Sequence, residues 1–254
     1  MHYIKVAHIT DTHILKDSSL TLNQINPLDR FKKVISTVAK KKYDLIIFTG
    51  DIADDGNEES YNLFFNVIEI LSTPCIVISG NHDNEAILSR MRKNKKNCIS
   101  ILSMPITINK WNFLYLNTNV AHQPYGELIQ EDILLMKNKI EKLTGKTCVI
   151  MHHPVFPSYI GNLDQYNVKN PEYFLSVCEN KIDLAICGHI HGDHRWVFNK
   201  TAFESAPSTI FQFENDDTTE GNYRINNALF GYKEYFFYHS GYQSRSVWFY
   251  EKTI

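Results

Sequence analysis

Short apolar runs alternate along the first part of the chain with segments whose apolar residues fall three and four positions apart. Tyr3 to Ile9 predicts a first strand. Phe31, Val34, Ile35, Val38 and Ala39 then recur at helical spacing behind Asn26-Pro27, a capping residue followed by proline in the first turn. Leu45-Ile46-Ile47-Phe48, entered from Tyr43-Asp44, is apolar at every position, which predicts a central strand buried on both faces of a parallel sheet. Asn57 can cap a second helix with Tyr61, Phe64, Phe65, Ile68 and Leu71 on one face, closed by Pro74. Cys75-Ile76-Val77-Ile78 follows as a third strand. This alternation implies parallel strands joined by right-handed crossovers.

Further along, the basic run Arg90 to Lys96 reads as the solvated end of a third helix. Ile106 to Leu116, broken at Asn109-Lys110, predicts a hairpin. Ile133, Met136, Ile140 and Leu143 mark another helix, Thr147 to Met151 a strand, Asn170-Pro171 a helix start and Asp183 to Cys187 a strand. Val155 to Lys169 has little periodicity and reads as a loop. After His194 helical spacing vanishes. Short aromatic strands are expected at Arg195 to Phe198, Thr209 to Phe213, Tyr235 to Tyr238 and Ser246 to Tyr250, the last two joined at Ser240-Gly241. No linker or repeat divides the 254 residues, so one domain over 1–254 is expected, β-rich from about 195. The predicted class is α/β, two sheets packed face to face with helices outside.

Composition narrows the partners. A net charge of −2 disfavours a general nucleic-acid binder. Met1-His2-Tyr3-Ile4-Lys5-Val6 lacks the order of a signal peptide, and no apolar run is long enough to span a bilayer. The five cysteines are odd in number and scattered, and Cys75, Cys148 and Cys187 fall inside apolar strands, which suits buried thiols in a reducing compartment. These features predict a cytoplasmic protein with no membrane and no nucleic-acid partner, a monomer or homodimer.

The chemistry lies at the strand ends, where open α/β sheets collect ligands. Asp11 and His13 follow the first strand, Asp51 the second, Asn81 and His82 the third, His152 a fourth, and His189 and His191 a fifth. In an extended segment residues i and i+2 point the same way, so Asp11-x-His13 and His189-x-His191 can each reach one centre. Apart from His82 that makes seven oxygen or nitrogen donors, more than one ion needs. Two ions sharing a carboxylate would use them all, with Asp51 the natural bridge. A donor set without sulfur suits Mn, Fe, Zn or similar ions and disfavours a structural zinc site. Two divalent ions, two aspartates and a bridging hydroxide sum to one net positive charge, which suits a phosphodiester monoanion. Such a pair activates water and clamps an in-line displacement. His2, His8, His122, His194 and His239 read as surface or packed residues, and His153 as a support for His152 or the substrate.

Asp11-Thr12-His13, Gly50-Asp51, Gly80-Asn81-His82-Asp83, His152-His153-Pro154 and Gly188-His189-Ile190-His191 resemble, in order, the signature of the calcineurin-like metallophosphoesterases. Cys187-Gly188-His189-Ile190-His191-Gly192, Ala206-Pro207-Ser208-Thr209 and Phe211-Gln212-Phe213 are similar to the bacterial class III cyclic nucleotide phosphodiesterases in particular. The resemblance implies a four-layer αββα sandwich of two mixed β-sheets flanked by helices. It implies one metal held by Asp11, His13, Asp51 and His191 and a second by Asp51, Asn81, His152 and His189, most readily Fe or Mn, with Zn, Co or Mg as other choices. It also implies His82 as the acid that protonates the leaving oxygen.

The expectation is therefore a metal-dependent phosphodiesterase that opens a 3',5'-cyclic nucleotide, cAMP favoured, to the 5'-monophosphate. The alternatives are a UDP-sugar-lipid diphosphate hydrolase, a nuclease or a phosphatase on the same core, or a non-catalytic protein-binding scaffold. A diphosphate hydrolase would carry arginine in place of His82 and an apolar lid, and a phosphoprotein phosphatase glutamate in place of Asp83.

Overall fold

The computed structural model describes residues 3–101, 104–178, 181–216, 218 and 221–251. In chain order the elements are β1 (Ile4–Ile9), α1 (Pro27–Ala39), β2 (Leu45–Thr49), α2 (Glu58–Ile68), β3 (Cys75–Ile78) and α3 (Glu85–Lys93). They continue with β4 (Ile106–Ile108), β5 (Trp111–Tyr115), α4 (Gln130–Ile140), β6 (Lys146–Ile150), a short 3-10 helix at Gly161–Tyr166, α5 (Glu172–Cys178) and β7 (Leu184–Cys187). The rest is β: β8 (Arg195–Phe198), β9 (Thr201–Ser205), β10 (Gln212–Asn215), β11 (Tyr223–Asn226), β12 (Leu229–Tyr238) and β13 (Gly241–Tyr250).

One sheet has the order β13-β12-β1-β2-β3 and the other β4-β5-β6-β7-β9-β8. β1, β2 and β3 are parallel, as are β5, β6, β7 and β9; β12, β13, β4 and β8 run antiparallel to their neighbours. Strand alternation builds the layers. Leu45 and Ile47 of β2 face inward onto a core shared with Trp111, Phe113, Ile150 and Ile186 of the second sheet. Ile46 and Phe48 face outward onto Phe31, Val34, Phe64 and Phe65 of α1 and α2. On the far side Val149 and Ala185 meet Met136 of α4 and Phe174 of α5. The layers are α, β, β, α, as expected for the mixed α/β class.

Several expectations need correction. β1, not β2, is the middle strand of its sheet, because β12 and β13 return from the C-terminal region and extend it past β1. Arg92, inside the basic run, is buried and donates to the carbonyl of Val77 and to Glu85, so that run is solvated only in part. The strand expected at Thr209 to Phe213 starts at Gln212, and Val155 to Lys169 holds the 3-10 helix. β9 and β11 had no clear period: β9 is buried at every position and β11 is half-exposed. The Asn26 side chain caps α1, accepting from the Asp29 amide at 3.1 Å, whereas Asn57 makes no such bond for α2. No described helix is long and apolar enough to cross a membrane.

Candidate metal centre

The C-terminal ends of β1, β2, β3, β6 and β7 converge between the sheets, and each delivers donors into one small volume. Asp11 (φ 52°), His13 (φ 43°), Asp51 (φ 48°), His189 (φ 72°) and His191 (φ 42°) all adopt left-handed backbone. This is uncommon outside glycine and costs on the order of 1–3 kcal/mol at each position. The pairs i and i+2 therefore converge through tight turns past the strand ends, not through strand pleat as the spacing suggested. Backbone packing enforces the turns. Gly50 sits at φ +100°, and a Cβ there would stand 2.6 Å from the Gly80 amide nitrogen. A Cβ on Gly80 would stand 2.1 Å from Asp51 Oδ1.

The donor atoms fall into two groups. His13 Nε2 lies 3.1 Å from His191 Nε2 and 3.6 Å from Asp51 Oδ2, and His191 Nε2 is 3.7 Å from Asp11 Oδ1. On the other side His152 Nε2 lies 3.0 Å from Asn81 Oδ1 and 3.4 Å from the same Asp51 Oδ2, and His189 Nδ1 is 3.0 Å from Asn81 Oδ1. Two ligands about 2.1 Å from one ion stand roughly 3.0–3.4 Å apart; four of these six separations fall in that range and the other two, 3.6 and 3.7 Å, lie just above it, so each group could hold a cation. One carboxylate oxygen of Asp51 faces both groups. The sulfur-free donor set suits hard or borderline divalent cations. All seven predicted donors are thus brought together, and His82 lies at the edge of the cluster with its ring 4.8 Å from that of His13.

Surrounding groups orient the rings. His152 Nδ1 bonds the Thr49 carbonyl at 2.7 Å and His191 Nδ1 the Phe211 carbonyl at 3.2 Å. A carbonyl only accepts, so each Nδ1 carries a proton, and each Nε2 would present its lone pair to a cation bound at the centre. His13 Nδ1 meets Asp54 Oδ1 at 2.9 Å, while the Asp54 carbonyl takes His82 Nδ1 at 3.0 Å. Asp54 thereby positions both a donor and His82. It was missed in the sequence, although it follows Asp51 by three residues, because only the left-handed turn at Asp51 brings it to His13. Asp83 ties the β2 and β3 loops together, accepting from the amides of Ile52, Ala53 and Gly80. His153 is anchored by Thr118 Oγ1 at 2.9 Å and packs its ring 4.5 Å from that of His189. Among the remaining histidines His8 is buried and His194 stacks on Trp196; His122 and His239 are exposed, and His2 lies outside the described residues.

Burial without a cation perturbs these groups strongly. It pushes Asp11 up to about 6. At Asp51 burial is outweighed by His152, His82 and His13, which hold the carboxyl well below its usual range. At His152 burial is in turn outweighed by Asp51, which raises the imidazole to about 9, whereas burial and the His152 charge drop His189 to about 3. Protonated imidazoles thus neutralise the buried carboxylates, and a divalent cation would displace those protons on binding.

The calcineurin-like phosphoesterase family model matches residues 4–193, a span that contains all five strand-end motifs. A probable cyclic nucleotide phosphodiesterase of Coxiella burnetii is 31% identical, with 96% of this chain and 97% of that protein aligned. The 3',5'-cyclic adenosine monophosphate phosphodiesterase CpdA of Haemophilus influenzae is 28% identical over 84% of this chain and 79% of its own length. Among solved structures, a dimetal phosphatase from Danio rerio superposes with a TM-score of 0.66 at 13% identity, covering 96% of this chain and 98% of that one. That last likeness speaks to fold alone, whereas the family match runs through the residues that build the centre: the chain belongs to the calcineurin-like phosphoesterases, a family of hydrolases.

Proposed function

We propose that this chain is a cytoplasmic, single-domain phosphodiesterase that opens the 3',5'-cyclic phosphate of a nucleotide, cAMP foremost, to the 5'-monophosphate. Asp11, His13, Asp51 and His191 would hold one divalent ion, and Asp51, Asn81, His152 and His189 a second, with Fe or Mn preferred. Such ions, when bound, supply Lewis-acid activation of water and of the phosphoryl oxygens. The chain's own groups supply position and protons. His82 is held by its Nδ1–H on the Asp54 carbonyl at 3.0 Å, and its other nitrogen, when the ring is an imidazolium, would donate to the departing 3'-oxygen. Asp54 and the Thr49 and Phe211 carbonyls keep the imidazoles in one tautomer. The observation that carries this reading is Asp51 Oδ2, within 3.4 and 3.6 Å of imidazole nitrogens from two separate donor groups. The names of the Coxiella and Haemophilus relatives support the cyclic nucleotide as substrate. The free cysteines support the reducing compartment.

A hydrolysis panel on Mn- or Fe-loaded protein tests the proposal: cAMP, cGMP, 2',3'-cyclic nucleotides, bis(p-nitrophenyl) phosphate and UDP-sugar lipids. Turnover of cAMP to 5'-AMP is expected. Absence of cyclic nucleotide turnover beside strong turnover of another member would overturn the substrate, and no turnover with metal bound would point to the scaffold.

A further inference from the structure

Five of the donors, His13, Asp51, Asn81, His189 and His191, line a cavity of about 310 Å³ whose wall beyond them is largely apolar. Phe213, Tyr223 and Ile225 come from the β10–β11 hairpin, and Leu163 and Tyr166 from the 3-10 helix. That hairpin pairs only with itself and belongs to neither main sheet. Among the described residues several contacts hold it over the centre, among them the Phe213 amide donating to the His191 carbonyl at 3.3 Å. Arg30 of α1, itself buried, donates to the carbonyls of Ile210 and Asn227, which bracket the hairpin on either side. The Gly161 amide donates to Asn215 Oδ1 at 2.9 Å, and a Cβ on Gly161 would stand 2.5 Å from the Asn222 carbonyl carbon. Phe213 stacks on the His191 ring at 4.6 Å, Tyr223 meets Phe213 edge-on at 4.9 Å, and Tyr223 stays 39% exposed.

Holding cations and cleaving a phosphoester need no aromatic hairpin. An apolar wall beside a few convergent polar groups is the composition of a site for a ligand with an apolar, planar part. His82 also borders a second hollow of about 550 Å³, lined by Ser79, Asn84, Asn117 and Asn119 and, among the described residues, by no phenyl or indole face. We propose that the Phe213–Tyr223 wall seats the planar ring of the substrate, the nucleobase, by stacking, and that recognition there follows ring area over base edge. This rests on the cyclic nucleotide reading above. Every base has a π-face, so the wall accepts adenine and guanine alike and favours purines over pyrimidines.

The test is calorimetric titration of Mn-loaded protein with AMP, GMP and ribose 5-phosphate, which does not depend on turnover. AMP and GMP should bind on the order of 10- to 100-fold more tightly than ribose 5-phosphate. Tyr223→Ala should narrow that gap and leave ribose 5-phosphate unchanged, and Tyr223→Phe should restore it. Equal binding of AMP and ribose 5-phosphate, or equal weakening of both in Tyr223→Ala, would overturn the proposal. A retained gap with no cyclic nucleotide turnover would remove the proposed substrate and leave the ring seat standing.

Discussion

Gly80→Ala isolates the close packing that places Asp51. The new methyl would stand 2.1 Å from Asp51 Oδ1, 2.4 Å from the Asp51 amide nitrogen and 2.7 Å from His152 Cε1. A carbon needs roughly 3.4 Å from a non-bonded oxygen, so the carboxylate must retreat by about 1 Å. The Asp51 amide nitrogen at 2.4 Å is backbone, so the turn must shift as well, against its own hydrogen bonds. The Gly80 amide is bonded to Asp83 Oδ2 at 2.8 Å, and the Asp51 carbonyl receives the Thr12 and His13 amides at 2.9 Å each. Retreat of Oδ1 also breaks its bond from the His82 amide and swings Oδ2 away from both donor groups. Overpacking of this kind costs about 1–3 kcal/mol, which a folded domain withstands, whereas a 1 Å misplacement at a reacting centre costs on the order of 10²-fold in rate. The assay is metal content by mass spectrometry, kcat/KM on bis(p-nitrophenyl) phosphate and Tm, with Gly241→Ala, which meets nothing within 4 Å, as control. Fewer than two metals per chain and a loss of about 10²-fold are expected in a folded protein. Two bound metals and wild-type kcat/KM would refute the reasoning that Asp51 is placed by contact with Gly80.

Asp51→Asn keeps the shape of the shared ligand and removes its charge, so metal content should fall below two per chain, while Asp11→Asn should disturb one site. Full occupancy in the Asp51 variant would contradict the bridge. His82→Ala should lose about 10²–10⁴-fold on cAMP and far less on bis(p-nitrophenyl) phosphate, whose leaving group needs no proton; equal losses with metals retained would remove the acid role. Burial, reinforced by Lys233, lowers His8 to about 3 from 6.5, so the unfolded chain binds the extra proton as pH falls below 6.5 and stability declines. By pH 5 that amounts to about 2 kcal/mol, and His8→Gln should flatten the fall in Tm between pH 7 and 5; parallel curves would sink the assignment. Glu234, buried against Lys5, Lys41, Tyr43 and the more exposed Arg245, should cost roughly 1.5–3 kcal/mol on change to alanine, read by denaturant unfolding, with a near-neutral result showing the charges to be solvated.

Period and punctuation along the sequence were enough to locate β1, β2, β3, β6 and β7, because strands buried on both faces are largely apolar. The same logic exposes any polar residue at their ends as chemistry, which is how Asp11, Asp51, Asn81, His152 and the His189–His191 pair were legible. Helices α1 and α2 were legible through their buried faces. What sequence could not decide depends on groups distant in the chain. The left-handed turn at Asp51 is pressed by the β3 loop, and nothing local to Asp51 announces that Gly80 will lie against it. Asp54 reads as one more polar loop residue until that turn carries it to His13. β12, whose Glu234 is buried among partners from the first strand region, pushes β2 out of the sheet's centre. The aromatic hairpin looks like ordinary tail until Arg30, some 180 residues upstream of the Ile210 carbonyl it binds, draws it over the candidate donors. Local burial writes its period into the sequence; contacts across such separations leave no period to read, and only the folded chain decides them.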